Sequence, residues 1–328
     1  MMRPPAVIPP LTDRHPALPL AVPFTTAQAA AVGVTPDVLT RLTRSGVLRR
    51  VFDGVYVDAA APDTTLHRVR ALALVLPPSA VVCDESAAWA HGVDLEPPQA
   101  RVVAPPVQVF QLPGHTRVRK AGCAGGERGL RPEDVEVLDG VPVLSPLRLA
   151  CDLGRLRPRD QAMAAMDALA RQAGFTGADV ERCLPRFRGM RGVVQLRDLA
   201  PRTDARAMSV LESWVRLRCQ DGGLPALTPQ VEVRRGGEPW GELAVLDLAN
   251  ERLRFAVEYD GADWHTSPEQ RARDERRRAW LRAEGWWIVV LTRRDVPTHD
   301  RQVTVDVVRR ELERCLRSTR RSFGDTPA

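Results

Sequence analysis

Apolar positions recur at helical or strand spacing in three separate blocks of this chain. In the first, Thr26 to Ala31 reads as a short alanine-rich helix and Val32-Gly33-Val34 as a tight turn. Thr35-Pro36-Asp37 then supplies an N-cap, a proline at the first helical position and an acidic first turn. The second helix sets Val38, Leu39 and Leu42 at core spacing and stops near Ser45-Gly46. Val47 to Phe52 and Val55 to Val57 flank Asp53-Gly54, a strong short hairpin signal. Helix, turn, helix and basic hairpin is the order of a small winged helix-turn-helix.

The second block, roughly Thr64 to Thr203, mixes both periods. Leu66 to Leu76 is an apolar-periodic helix, and Asp84 to Gly92 is a second one, capped at its start and closed by glycine. Alternating segments at Arg101 to Val103, Val107 to Leu112 and Val135 to Val143 predict a small sheet. Further helices begin at Ser145 and run from Arg159 to Gln172. Gly122 to Gly129 reads as a flexible turn, because the strand before and helix after that a phosphate loop needs are missing. His91 and Asp152 are expected in capping or core roles.

In the third block Ser209-x-x-Glu212 opens a helix that ends at Gly222, and Trp287 to Leu291 is an apolar strand. Between them, two strands surround the polar turn Asn250-Glu251-Arg252. The parity of that loop decides the chemistry. An even loop, such as Asn250 to Leu253, puts Asp247 on one face with Arg254, Ala256, Glu258 and Asp260; an odd loop puts it on the opposite face. The even case gathers three carboxylates, followed by His265, into a site for a hard divalent cation with a proton acceptor beside it. The odd case gives an ordinary hairpin.

Composition narrows the picture. With 328 residues, 44% hydrophobic and 27% charged, the chain has the make-up of a soluble protein of two or three domains. No run of about 18 apolar residues is present, so no membrane span is expected. The first 24 residues carry seven prolines and no apolar core of a signal peptide, which predicts a disordered leader. The net charge of +6 is permissive for a polyanionic partner. Six cysteines without a Cys-x-x-Cys pair argue against a zinc site or disulfide framework, and for reduced thiols in a cytoplasm.

Two families share these motifs. A carboxylate in one strand and Glu-x-(Lys or a substitute) in the next is the restriction-endonuclease-like pattern, and Asp260-Gly261-x-x-Trp264-His265 resembles its very-short-patch-repair branch. The resemblance extends from Ala207 to Cys315, through Ser209-x-x-Glu212 and Arg273-Asp274-x-x-Arg277. It implies Mg2+ or Mn2+ held by Asp247, Glu258 and Asp260, with Glu212 as an outer group and His265 in proton transfer. The chain departs from the pattern where Asp260 stands in place of the usual lysine; its one lysine, Lys120, lies elsewhere. Arg271, Arg273, Arg276, Arg277 and Arg278 on the following helix read as a solvated face or a phosphate-binding ridge.

The first block is similar to the N-terminal domain of AbiEi-type antitoxins in Thr25/Thr26, Gln28, Ala29, Gly33, Gly46, Leu48, Arg49, Gly54, Val55 and Tyr56. Ser86-Ala87-Ala88 and Ser145 to Leu153 extend that similarity into the middle. Such a module would place Thr35, Asp37, Thr40, Arg41 and Arg44 in a major groove and Arg49 and Arg50 on phosphates.

The expectation is therefore a multidomain α/β protein. It consists of a proline-rich leader (1–22), a winged helix-turn-helix (23–62), a middle α+β domain (63–205), a restriction-endonuclease-like α/β/α domain (206–318) and a tail (319–328). The leading function is metal-dependent cleavage or nicking of double-stranded DNA. The alternative is a non-catalytic DNA-binding antitoxin or autoregulator with a cognate toxin and a degenerate nuclease fold.

Overall fold

The structure is a computed structural model that describes residue 18 and residues 21–77, 79–95, 106–111, 123–235, 243–260 and 268–324. The described residues have mixed α/β architecture with three sheets. The chain divides into two compact units, Met1–Asp152 and Leu153–Ala328.

The first unit opens with β1 (Phe24–Thr25), α1 (Thr26–Ala31), α2 (Pro36–Arg44), β2 (Leu48–Phe52) and β3 (Val55–Asp58). Local chemistry sets each boundary. Thr25 Oγ1 accepts from the Gln28 N–H at 3.1 Å while Gln28 Oε1 accepts from the Thr25 N–H at 2.8 Å, a reciprocal cap. Thr35 caps α2 through the Val38 N–H, and Gly54, at φ +71, turns the hairpin. The sheet order is β1-β3-β2. Leu39 and Leu42 pack with Phe24, Ala29, Val34, Val47 and Leu48. Leu18, inside the stretch expected as a leader, is buried in the same core.

The unit continues with α3 (Thr65–Ala73), β4 (Ala80–Val82), α4 (Asp84–Ala90), β5 (Val107–Gln111), β6 (Cys123–Glu127), β7 (Val135–Leu138) and β8 (Val141–Leu144), and its last residues open α5 (Pro146–Leu156), within which the division falls. Its five-stranded sheet has the order β6-β5-β4-β8-β7. Three expectations are corrected here. Cys123–Glu127 is a strand, not a flexible turn: it runs parallel to β5, so close that a Cβ on Gly125 would lie 1.6 Å from the Val109 carbonyl oxygen. Val135 to Val143 is a hairpin, because Asp139 and Gly140 both adopt positive φ. The start of α4 lacks a side-chain cap of its own; the Gln108 Oε1 on β5 accepts from Glu85 N–H at 2.6 Å and Ser86 N–H at 3.4 Å. The segment Arg101 to Val103 lies outside the described residues. His91 binds the Leu144 carbonyl at 2.8 Å, and fully buried Asp152 is paired with Arg128 at 2.7 Å and Arg148 at 2.9 Å, both structural roles.

The second unit contains α6 (Arg159–Ala173), α7 (Gly177–Cys183), α8 (Val193–Leu199), α9 (Val210–Asp221), β9 (Thr228–Arg234), β10 (Leu243–Asn250), β11 (Phe255–Tyr259), α10 (Pro268–Ala283), β12 (Trp287–Leu291) and α11 (Arg301–Gly324). The last helix runs past the expected domain end at 318. Its sheet, β12-β11-β10-β9, is antiparallel except for the parallel pair β11/β12. On one face Leu248, Phe255, Val257 and Leu291 meet Val215 and Cys219 of α9 and Val308, Leu312 and Cys315 of α11. On the other, Leu246, Ala249 and Ala256 meet Leu281 of α10 and Trp286. A mixed sheet with helices on both faces is the α/β/α layering expected for this stretch.

The helices before the sheet are joined to one another by buried ion pairs. Arg216 Nη2 of α9 lies 2.6 Å from Asp167 Oδ2 of α6, and Arg218 Nε 2.9 Å from Asp160 Oδ2. Burial pushes the Asp167 carboxyl above its ordinary range, against the pull of Arg216 and of the Asp204 N–H. Removing one partner of such a pair strands the other charge. Arg216→Met is therefore expected to lower stability by about 3–5 kcal/mol, read as a shift of the urea midpoint. Arg216→Met with Asp167→Asn, which keeps an acceptor for the Asp204 N–H, should recover a large part of it. Equal losses in the single and double variants would count against the ion pair as the cause.

Candidate functional site

The chain between β10 and β11 is the four-residue loop Glu251 to Arg254, in which Glu251–Leu253 forms a short 3-10 turn and Arg254 has φ +47. Asn250 Oδ1 holds the turn by accepting the Leu253 N–H at 3.0 Å. The loop is even. Asn250 pairs with Phe255, Ala249 with Ala256 and Leu248 with Val257, and Asp247 lies just beyond the last of these pairs.

Asp247 Oδ2 accepts the Tyr259 N–H at 3.1 Å. Burial raises its carboxyl to about 6, and the charges of Glu212 and Glu258 add to the rise, while the Tyr259 hydrogen bond and Arg277 oppose it. Glu212, buried at the start of α9, accepts from the Met208 N–H at 2.9 Å and from Gln230 Nε2 at 3.1 Å. Gln230 sits at φ +53 between Pro229 and Val231, which pair with Leu248 and Leu246 on either side of Asp247. A non-glycine residue in the left-handed region is a strained position, and here it lies beside the carboxylates. Glu258 is only 4% exposed. Arg277 Nη2 stands 2.7 Å from its Oε1, an ion pair outside hydrogen-bond geometry, and Arg278 Nε donates to Oε2 at 3.0 Å. Asp260 is partly exposed, 3.9 Å from Arg278. His265 and Trp264 lie outside the described residues.

Asp247 thus has both Glu212 and Glu258 as neighbours, with Asp260 at the rim. A hard cation draws on several oxygens within about 2.0–2.6 Å, and Glu258 already faces two guanidiniums. A cation drawing on Glu258 would have to displace Arg277 and Arg278 from it. Among the described residues no three His, Cys, Asp or Glu side chains are placed to hold a metal. Reading the α10 arginines as a solvated face or ridge missed Arg277 and Arg278 as partners of Glu258. Their spacing of four and three from buried Leu281 is the signal that would have turned them inward.

On the first unit, Thr35, Asp37, Thr40, Arg41 and Arg44 are all exposed along α2. Arg41 and Arg44 make no ion pair with a described residue. The hairpin arginines differ: Arg50 is paired with Asp53, and Arg49 lies 4.0 Å from Asp63.

Residues 80–202 match the family described as the AbiEi antitoxin C-terminal domain. Over 255 residues the chain is 33% identical to the "Uncharacterized protein Rv2248" of Mycobacterium tuberculosis, covering 77% of this chain and 88% of that protein. The "Uncharacterized protein MT2308" from another strain of that organism matches to the same extent. The chain belongs to the family of these relatives. The antitoxin match begins at β4 and ends in the turn before α9, so the carboxylate cluster lies beyond it and the helix-turn-helix-hairpin elements precede it.

The raised Asp247 carboxyl has a consequence for stability. Above about pH 6 it is ionised in the folded protein at a cost that the unfolded chain does not carry. Its contribution is complete below the unfolded value near pH 3.8 and is lost as pH rises through about 6. Asp247→Asn keeps an acceptor for Tyr259 and should be more stable than the parent above pH 6, by about 1–3 kcal/mol. The two melting curves should converge as pH falls towards 4. A gap that widens on acidification would contradict the assignment.

Proposed function

We propose that this protein is a DNA-binding regulator of the antitoxin type, acting with a cognate toxin. The match of residues 80–202 to an antitoxin domain, preceded in the chain by a helix, turn, helix and hairpin and then α3, carries this reading. The N-terminal elements act as a winged helix-turn-helix: α2 enters the major groove of double-stranded DNA, with Thr35, Thr40, Arg41 and Arg44 on its exposed side. Arg49 and Arg50 on the wing reach phosphates after exchanging Asp63 and Asp53 for them. No helix among the described residues is long and apolar enough to cross a membrane, and a cytoplasmic setting suits this role.

A second reading is phosphodiester cleavage with Mg2+ or Mn2+, favoured by the approach of Asp247, Glu258 and Glu212 and opposed by the arginines on Glu258. The fold alone does not imply the activity. Supercoiled plasmid left intact by the full chain across both metals would leave the regulator reading standing.

The test of the regulator reading is binding of the full chain to the duplex immediately upstream of its own reading frame, with an unrelated duplex as control. Tighter binding to the upstream duplex is expected, with affinity falling as salt rises. Arg41→Ala with Arg44→Ala should weaken binding to both duplexes and lower the slope of log K against log salt by about 1–2. Equal, salt-independent affinity for both duplexes, or none, would overturn the reading.

A further inference from the structure

Arg277 and Arg278 are consecutive on α10, and they grip the two oxygens of one carboxylate. Glu258 lies in the second-unit sheet, only 4% exposed, and Asp247 feels its charge together with that of Glu212, so the Glu258 charge has little water to screen it. A buried group of carboxylates has two routes to neutrality, an external cation or an internal one. We propose that Arg277 and Arg278 are the resident counter-charge of this centre, holding the place a divalent cation would take, so that the centre is complete without metal.

Three observations support the assignment. The two guanidiniums bring the same charge that a divalent ion would. Arg277 is also tied to the neighbouring strand, donating from Nη1 to the Val245 carbonyl at 3.3 Å, so it spans β10 and β11. Arg278 lies 3.9 Å from Asp260, which brings the rim carboxylate under the same helix. With its one lysine at Lys120, the chain has no amine in this domain to share the role. Arginine suits it because a planar guanidinium keeps its charge when buried and matches a carboxylate edge.

The proposal is independent of DNA binding: failure of the duplex experiment leaves it intact, and failure here leaves the regulator reading intact. It is tested on the full chain with Mn2+ as the probe, by calorimetric titration and by thermal melting with and without millimolar Mn2+. The wild type should take up no stoichiometric Mn2+ and show no change in Tm. Arg277→Gln with Arg278→Gln should expose the carboxylates, bind about one Mn2+ per chain and gain several degrees in Tm on adding it. One Mn2+ bound per wild-type chain, and lost in Asp247→Asn, would overturn the proposal. A folded double variant that ignores Mn2+ would overturn it as well. If the double variant does not fold, the wild-type titration decides alone.

Discussion

A guanidinium taken out of water needs a carboxylate beside it, and much of the second unit is arranged around that requirement. Of the 47 basic residues all but Lys120 are arginine, and Arg68, Arg148, Arg216 and Arg218 are buried. Arg218 is among the largest fully buried side chains, held by Asp160 and Thr304. Arg301 reaches Asp160 and Asp221, and Arg159 and Arg202 share Asp221 and Asp198. These contacts run between α6, α8, α9 and α11, so the helices that end the antitoxin match and those that flank the mixed sheet are joined by charge as well as by apolar packing. Each bond fixes a direction as well as a distance, which apolar contact does not do.

The parts that were legible in the sequence are those whose signals are local. Thr35-Pro36 and Asp53-Gly54 each settle a boundary within four residues, and the second helix and the hairpin follow. What was not legible depends on partners far along the chain. β4 has three residues, too few for a period. β6 is built around glycines that read as a turn until β5 is laid against them. The loop after Asn250 has a parity that depends on the 3-10 turn and on the left-handed Arg254, neither of which composition reveals.

The carboxylates show the same division. Their positions could be narrowed to two cases from strand alternation, whereas their electrostatic partners could not be named, since Arg277 and Arg278 arrive from another element. The result is a cluster with the sequence of a cation site and the charge balance of an ion-paired core. The match of residues 80–202 to an antitoxin domain lies outside this cluster, and the guanidiniums on Glu258 balance its charge.

The side chain of Gln108 closes the first turn of α4 from β5, and the Ser86 hydroxyl returns the favour by accepting the Gln108 N–H at 3.0 Å. A helix whose opening amides wait for a strand 22 residues downstream gains little from forming first, because the loop must close before its end is satisfied. Helix and sheet therefore appear together during folding, and the half-made state, in which neither is capped nor paired, is short of reasons to persist.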